Sequence, residues 1–300
     1  MIPQRRTDPT ASPVVRAFSN TGPGSLVETR FDAAGSTLWI SMLAQDRKPH
    51  NFSNEMLSGL LEVLDQLQEQ APLSGLAGAD DAAHYAVLRS GHAQYFSLGG
   101  DLGYFLRCIR TRDSAALRRY SMLCLDMIYR WATVLNRNTT TLSLVQGRAL
   151  GGGFEAALAA DYVIAEEHAE FGLPEILFGL FPCSGAMSLL GRRIGIAAAE
   201  RLMRSGKVYS AAELLDMGVI DEVCASGRGE AAVREFIAQH ARRRKARLAM
   251  QRARARMVPL DYAELATVVD EWVDAALQLD DEEIRVLETL VRMQRADFAH

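Results

Sequence analysis

Two glutamates interrupt apolar stretches of the sequence, and each has a position suited to acid–base chemistry. Glu155 follows a run of three glycines at 151–153, and Glu175 lies in the apolar segment 172–177. Burying a carboxyl group among apolar residues is costly unless the group is paired or functional. For either residue alone, a structural ion pair or a helix N-terminal acid explains the position equally well. Together they suit proton transfer at a carbonyl compound.

The glycine run predicts a main-chain site for negative charge. An apolar strand is predicted at 139–146, and a helix is predicted to begin directly after the glycines. Free N–H groups at the positive end of a helix can hold an anion or a developing oxyanion, and glycine lets a ligand approach closely. A second glycine turn at 97–101 can supply another donor. The alternative is a tight turn without a ligand, and neither turn matches the dinucleotide or Walker patterns.

Strand and helix signals alternate through residues 25 to 225, which predicts an α/β fold rather than separate α and β blocks. Residues 1–24 are rich in Pro, Ser, Thr and Arg and predict a flexible extension. We expect the core to span residues 25–205. Residues 206–300 predict a helical subdomain that closes the pocket and contributes to oligomerisation.

The amino-acid composition limits the class of protein but does not identify a substrate. The 300 residues are 49% hydrophobic and 23% charged, with a net charge of -4, which allows a large core and does not favour nucleic-acid binding. No apolar run reaches membrane-spanning length, so we expect a cytoplasmic protein without membrane insertion. The four cysteines have no metal-ligand spacing, so no metal is expected.

Three segments resemble, in order and spacing, the crotonase (enoyl-CoA hydratase/isomerase) superfamily. They are Phe96-Ser97-Leu98-Gly99-Gly100-Asp101, Gly151-Gly152-Gly153-Phe154-Glu155 and Phe171-Gly172-Leu173-Pro174-Glu175. The resemblance covers roughly residues 25 to 225 and implies a ββα spiral core. It implies an oxyanion hole for a thioester, formed by the N–H groups of Leu98, with Gly99 adjoining, and Gly152. Members that hydrate or dehydrate carry two glutamates, at the positions of Glu155 and Glu175.

A closer resemblance, extending nearly to the C-terminus, is to bacterial diffusible signal factor (DSF) synthases. It rests on Gly153-Phe154-Glu155-Ala156-Ala157-Leu158, Val163-Ile164-Ala165-Glu166-Glu167, Leu173-Pro174-Glu175-Ile176-Leu177-Phe178, Leu180-Phe181-Pro182, Tyr209-Ser210-Ala211, Met217-Gly218, Trp272-Val273-Asp274 and Gln278-Leu279. It implies dehydration of a 3-hydroxyacyl group to a cis-2-enoyl thioester, followed by hydrolysis that releases a cis-2-unsaturated fatty acid quorum-sensing signal. The chain departs from that family at Cys183-Ser184, where the family has glycine and methionine.

The same resemblance implies the partners of the protein. The acyl substrate would be carried on the phosphopantetheine of acyl carrier protein or on coenzyme A, with no cofactor, in a homotrimer or hexamer that a sensor kinase can regulate. We expect Trp272, Leu290, Phe178 and Ser184 to contact the acyl chain. The cations between Arg242 and Arg256 are either a solvated helix face or a surface for the acidic carrier.

Two further interpretations stay open at the level of the sequence. One is a catabolic enoyl-CoA hydratase or isomerase that acts on trans substrates. The other is a non-catalytic binding protein with a crotonase fold, which the retention of both glutamates disfavours. The sequence does not decide which glutamate is the acid and which the base.

Overall fold

The computed structural model describes residues 25–70, 83–133 and 138–298. Ten strands in these residues form two sheets, a six-stranded sheet in the order β1-β2-β3-β5-β7-β10 and a four-stranded sheet in the order β4-β6-β8-β9. The strands are β1 (Val27–Asp32), β2 (Thr37–Met42), β3 (Tyr85–Ser90), β4 (Tyr95–Ser97), β5 (Thr140–Val145), β6 (Arg148–Leu150), β7 (Tyr162–Glu166), β8 (Glu170–Gly172), β9 (Val208–Ser210) and β10 (Glu222–Cys224). All pairings are parallel except β1 with β2 and β8 with β9.

Eleven α-helices accompany these strands within the described residues. They are α1 (Asn54–Gln70), α2 (Leu102–Thr111), α3 (Ser114–Thr133), α4 (Gly152–Leu158), α5 (Ala186–Ile194), α6 (Ile196–Ser205), α7 (Ala211–Asp216), α8 (Gly229–Ala241), α9 (Arg244–Met257), α10 (Tyr262–Ala276) and α11 (Asp281–Asp297). Short 3₁₀ turns lie at Ala33–Gly35 and Glu175–Phe178.

The six-stranded sheet is buried on both faces. Every residue of β2 and of β5 is buried, which is the pattern of parallel strands covered by helices on each side. One face packs on α8 through Trp39, Tyr85 and Val233, and the other belongs to the main core, which includes α1 and α3. The α/β class expected from the sequence is therefore confirmed.

The turn at 97–101 leads into α2, because Asp101 accepts the Tyr104 N–H and caps the helix. The observed elements depart from the sequence prediction further along the chain. Residues 208–224, assigned to the helical subdomain, contain β9 and β10, which pair with β8 and β7 of the predicted core. Three-residue strands are too short to show a periodic pattern, which is why the sequence did not reveal them.

Two other predictions concern the remainder of the chain. The flexible extension predicted for residues 1–24 lies outside the described residues. Within the described part, no helix combines the length and apolar character needed to cross a bilayer.

Candidate active site

Glu155 lies in the first turn of α4, directly after the glycine run, and its side chain is buried. Its Oε1 accepts two main-chain hydrogen bonds, from the N–H of Ser184 at 2.8 Å and from the N–H of Ala186 at 2.9 Å. Burial raises the pKa of Glu155 to about 7, although these two bonds oppose the shift. The two N–H donors favour the carboxylate form of this residue.

Glu175 is the first residue of the 3₁₀ turn that follows Pro174. Its Oε2 is buried and has no hydrogen-bond partner among the described residues. Burial, and then the charge of Glu155, raise the pKa of Glu175 to about 8. Burial outweighs the main-chain hydrogen bond to this carboxyl, which opposes the shift, so Glu175 has the character of an acid.

The two glutamates hold one proton between them near neutral pH. The pKa of Glu155 is about 7 and that of Glu175 is about 8. Burial raises both pKa values, and the charge of Glu155 raises that of Glu175 further, so the proton lies preferentially on Glu175. Because the two values are close, a proton can be exchanged between the roles of acid and base during a reaction.

Gly151 allows the Glu175 carboxyl to approach the glycine run. Gly151 has φ 52° and ψ -127°, a conformation that is strained for any residue with a side chain. A Cβ at this position would lie 2.6 Å from Glu175 Oε1. The sequence singled out the glycine run for its N–H groups, and the structure adds a steric role for its first member.

The N–H of Gly152, one of the predicted oxyanion donors, is available to a ligand. It begins α4, so its N–H has no acceptor one turn earlier in the helix, and it lines a cavity that both glutamates also line. Gly99 packs against it, because a Cβ on Gly99 would lie 2.7 Å from the Gly152 nitrogen. The two glycine turns predicted from the sequence therefore meet.

Leu98 does not have the role that was predicted for it. Its N–H donates to the carbonyl oxygen of His50 at 2.8 Å, so this donor is already used, and the structure contradicts the assignment of Leu98 to the oxyanion hole. The Gly99 N–H is directed to the Ser97 hydroxyl at 3.1 Å. The next residue, Gly100, lines the cavity, and its N–H has no partner among the described residues.

A buried tyrosine holds this second turn in place. The Tyr120 hydroxyl on α3 donates to the Phe52 carbonyl oxygen and accepts the Asp101 N–H at 2.8 Å. The phenol thus reinforces the direct main-chain bond between the same two segments, in which the Phe52 N–H donates to the Gly99 carbonyl oxygen at 2.8 Å. No sequence signal pointed to this contact, because Tyr120 looks like any apolar-face residue of a long helix.

The cavity has a volume of about 240 Å³ and is mainly apolar. The four residues predicted to contact an acyl chain, Trp272, Leu290, Phe178 and Ser184, all line it. Lining residues that the sequence analysis did not select include Phe105, Ser121, Cys124, Ile128 and Met293. This combination of an enclosed apolar space and two polar main-chain turns suits a ligand with a chain and a polar head.

The C-terminal helix closes one side of the cavity. Leu290, Met293 and Asp297 of α11 line it, and Phe298 packs with Leu98 and Tyr95. The predicted closing function of the C-terminal helices is thus consistent with where α10 and α11 lie.

The cations between Arg242 and Arg256 line neither this cavity nor the neighbouring one. Arg254 pairs with Asp161 at 2.8 Å, which is a structural contact. The neighbouring cavity has other cations on its wall, namely Lys48, Arg107 and Arg295. A docking role for the predicted cluster receives no support from these contacts.

The geometry defines the class of site: two buried carboxyl groups face one apolar cavity beside main-chain donors, which is an acid–base site for an acyl compound. The family model described as enoyl-CoA hydratase/isomerase matches residues 39–269. The chain belongs to this family, the one its sequence resembles.

Known relatives agree with this assignment. The putative enoyl-CoA hydratase/isomerase YhaR of Bacillus subtilis (strain 168) is 32% identical over 192 residues, which are 61% of this chain and 65% of the relative. The probable enoyl-CoA hydratase echA17 of Mycobacterium avium (strain 104) is 32% identical over 187 residues, covering 62% and 66%. The match spans slightly less than two thirds of the length of these relatives.

Solved structures show the same fold. The enoyl-CoA hydratase from Bacillus halodurans superposes with a TM-score of 0.70 at 23% identity, covering 88% of this chain and 100% of that chain. Pseudomonas aeruginosa DspI superposes with a TM-score of 0.59 at 22% identity, covering 79% and 82%. At these identities the likeness concerns the fold alone.

Proposed function

We propose that this protein is a DSF synthase. It dehydrates a 3-hydroxyacyl thioester to a cis-2-enoyl thioester and then hydrolyses the thioester, which releases a cis-2-unsaturated fatty acid. The observation that carries the proposal is that Glu155 and Glu175 line one apolar cavity with Gly152, where burial raises the pKa of both carboxyl groups. The sequence resemblance to DSF synthases supports the choice of product.

In the dehydration, Glu155 and Glu175 have complementary roles. Glu155, as the carboxylate, removes a proton from C2 of the acyl group, and the electron pair forms an enolate on the thioester oxygen. Glu175 gives its proton to the C3 hydroxyl as the C3–O bond breaks, and water leaves. The result is a 2-enoyl thioester, with Glu155 protonated and Glu175 ionised, and transfer of the proton from Glu155 to Glu175 through solvent restores both groups. The pKa order of the pair supports this division of roles.

Main-chain donors stabilise the enolate oxygen. We assign this role to the N–H groups of Gly152 and Gly100, which both line the cavity, in place of Leu98. Removing one such donor from a dry, preorganised site typically costs about 3 kcal/mol of transition-state stabilisation. The same donors would polarise the thioester when water, activated by a glutamate, attacks it in the hydrolytic step.

The thioester carrier would lie beside the reacting centre. Arg107 and Arg295 both approach Gly103, within 4 Å of the place that a Cβ would take there, and Lys48 lines the same cavity. Cations on a concave surface suit the phosphate of phosphopantetheine, whether it is attached to acyl carrier protein or belongs to coenzyme A. These three residues replace the Arg242–Arg256 cluster as the proposed carrier contact.

Product analysis tests the proposal. The purified protein is incubated with 3-hydroxyacyl carrier protein, and free acids are identified by mass spectrometry with cis and trans standards. We expect a free cis-2-enoic acid from the wild type, and a loss of more than a hundredfold for Glu155→Gln and for Glu175→Gln. The isosteric amides keep the volume of the site, so a folding defect is a small concern. Wild-type turnover by the double variant would refute the proposed chemistry.

A second candidate, hydration of trans-2-enoyl-CoA, is favoured by the names of the relatives, which are enoyl-CoA hydratases. The same glutamates would serve it in the reverse direction, with Glu175, as the carboxylate, activating water for attack at C3 and Glu155 returning a proton to C2. Rapid hydration of trans-2-enoyl-CoA without release of free acid would select this function over the first.

A further inference from the structure

Ser121 is a buried hydroxyl that the reaction described above does not use. It lies on α3, is 1% exposed and lines the cavity that Glu155 and Glu175 line. Its Oγ has no hydrogen-bond partner among the described residues. Buried polar groups in folded proteins are nearly always paired, so an unpaired hydroxyl on a cavity wall points to a partner supplied by a ligand.

The local helix does not satisfy this hydroxyl. Serine inside a helix commonly donates to the carbonyl oxygen four residues earlier, which here belongs to Leu117, but no such bond forms. Ser121, Cys124 and Ile128 instead share one face of α3 at helical spacing, and all three line the cavity. Ser121 therefore presents a polar atom on a face that is otherwise suited to an acyl chain.

Its neighbours place Ser121 near the reacting end of the cavity. The preceding residue, Tyr120, holds the Gly100–Asp101 turn through the Asp101 N–H. One helical turn later, Cys124 lines the same cavity as Glu155; burial raises the pKa of its thiol, and the nearby Glu155 charge adds to the shift. Ser121 lies on α3 between these two contacts, whereas Ile128 lies two helical turns further along.

We propose that Ser121 is a specificity-determining residue that hydrogen bonds to the C3 hydroxyl of the acyl substrate. The inference rests on the proposed function, because it deepens the choice of a 3-hydroxyacyl thioester as substrate. A serine hydroxyl can both donate to that oxygen and accept from its proton. A saturated chain offers no oxygen there and would leave Ser121 unpaired.

This contact would select substrates when they enter the cavity, before dehydration removes the C3 oxygen. A site built to hydrogen bond a substrate hydroxyl rejects the analogue that lacks it, because the polar group of the site is then left without a partner. Saturated acyl thioesters would therefore enter the cavity poorly, and the hydrolytic activity would spare them. The thioesterase activity would therefore reach only chains that carried a C3 hydroxyl when they entered the cavity.

The test compares binding of two ligands that differ only at C3. The dissociation constants of 3-hydroxydecanoyl-CoA and decanoyl-CoA are measured by calorimetry with the full chain carrying Glu155→Gln and Glu175→Gln, which prevents turnover. We expect at least a tenfold preference for the hydroxylated ligand, and its loss on adding Ser121→Ala. Adding Ile128→Val instead changes an apolar residue on the same helix face. This control should weaken the binding of both ligands and keep the preference for the hydroxylated one.

Several outcomes decide the question. An unchanged preference for the hydroxylated ligand in the Ser121→Ala protein overturns the proposal. So does an equal gain in affinity over decanoyl-CoA by 10-hydroxydecanoyl-CoA, which carries its oxygen at the chain end. The melting temperature without ligand should be equal or higher after Ser121→Ala, since an unpaired hydroxyl is removed, and a drop would indicate a structural role. Because no turnover is needed, a Ser121-dependent preference supports the proposal even if no enoic acid is ever released.

Discussion

Replacing Gly151 by alanine tests whether turnover depends on the position of the Glu175 carboxyl, independently of the stability of the fold. A Cβ at residue 151 would lie 2.6 Å from Glu175 Oε1, whereas ordinary contact begins near 3.4 Å. The carboxyl must therefore retreat by about 0.8 Å to reach ordinary van der Waals contact. Misplacing a catalytic group by about 1 Å can reduce turnover about a hundredfold, which corresponds to about 2.7 kcal/mol in the activation free energy.

The same substitution also strains the main chain, and a control is needed for that effect. Positive φ costs an alanine about 1 to 2 kcal/mol. Gly218 has φ 73°, and no atom lies within 4 Å of the place that a Cβ would take there, so Gly218→Ala places a side chain at a positive φ without touching the site. Both variants should lower the free energy of unfolding, and only Gly151→Ala should lower kcat.

The assay is turnover of the 3-hydroxyacyl thioester at saturating concentration, combined with urea denaturation of both variants. Wild-type kcat in Gly151→Ala would show that Glu175 does not need its present position. An equal loss of kcat in Gly218→Ala would show that general strain, and not the displaced carboxyl, explains the effect. Either result refutes the steric argument.

The titration of the glutamate pair and the Tyr120 bridge lead to three more expected outcomes. The pH profile of kcat/KM should be a narrow bell between limbs near pH 7 and pH 8, because Glu155 must be ionised and Glu175 protonated in the free enzyme; activity that rises steadily to pH 10 would contradict it. Glu175→Gln should stabilise the protein at alkaline pH. The folded state keeps the Glu175 proton up to about pH 8, whereas the unfolded state releases it above about pH 4.5. Between these pH values the free energy of unfolding of the wild type should therefore fall relative to that of the variant, by up to about 1.4 kcal/mol per pH unit. Denaturant titrations that give a pH-independent difference between the two free energies would oppose this prediction. Tyr120→Phe should cost about 1 to 3 kcal/mol of stability, since Phe52 and Asp101 lose their bridge, and should lower kcat more than it raises KM.

Much of the site could be located from the local sequence, because its residues differ in type from the residues next to them in the chain. A carboxyl group among apolar residues and three consecutive glycines are conspicuous, and the structure places Glu155, Glu175 and Gly152 on one cavity. The four acyl-contact predictions also lie on its wall. The catalytic roles of these residues stay predictions.

Other parts depend on contacts between distant segments, which no local pattern contains. The family resemblance implied Leu98 as a donor, but the acceptor that uses its N–H belongs to His50, on a separate segment. The pairing of β10 with β7 is equally non-local. Ser121 lay in a predicted helix, yet only the packing of α3 shows that its hydroxyl is buried without a partner.

The distribution of tryptophans gives the protein a built-in optical reporter. The chain has three, of which Trp39 and Trp131 are buried away from the cavity, whereas Trp272 lines it beside Phe105. A chain entering the cavity would change the surroundings of one indole and leave the other two unaltered. Intrinsic emission excited near the red edge of indole absorption can therefore follow ligand arrival in real time, without any attached dye.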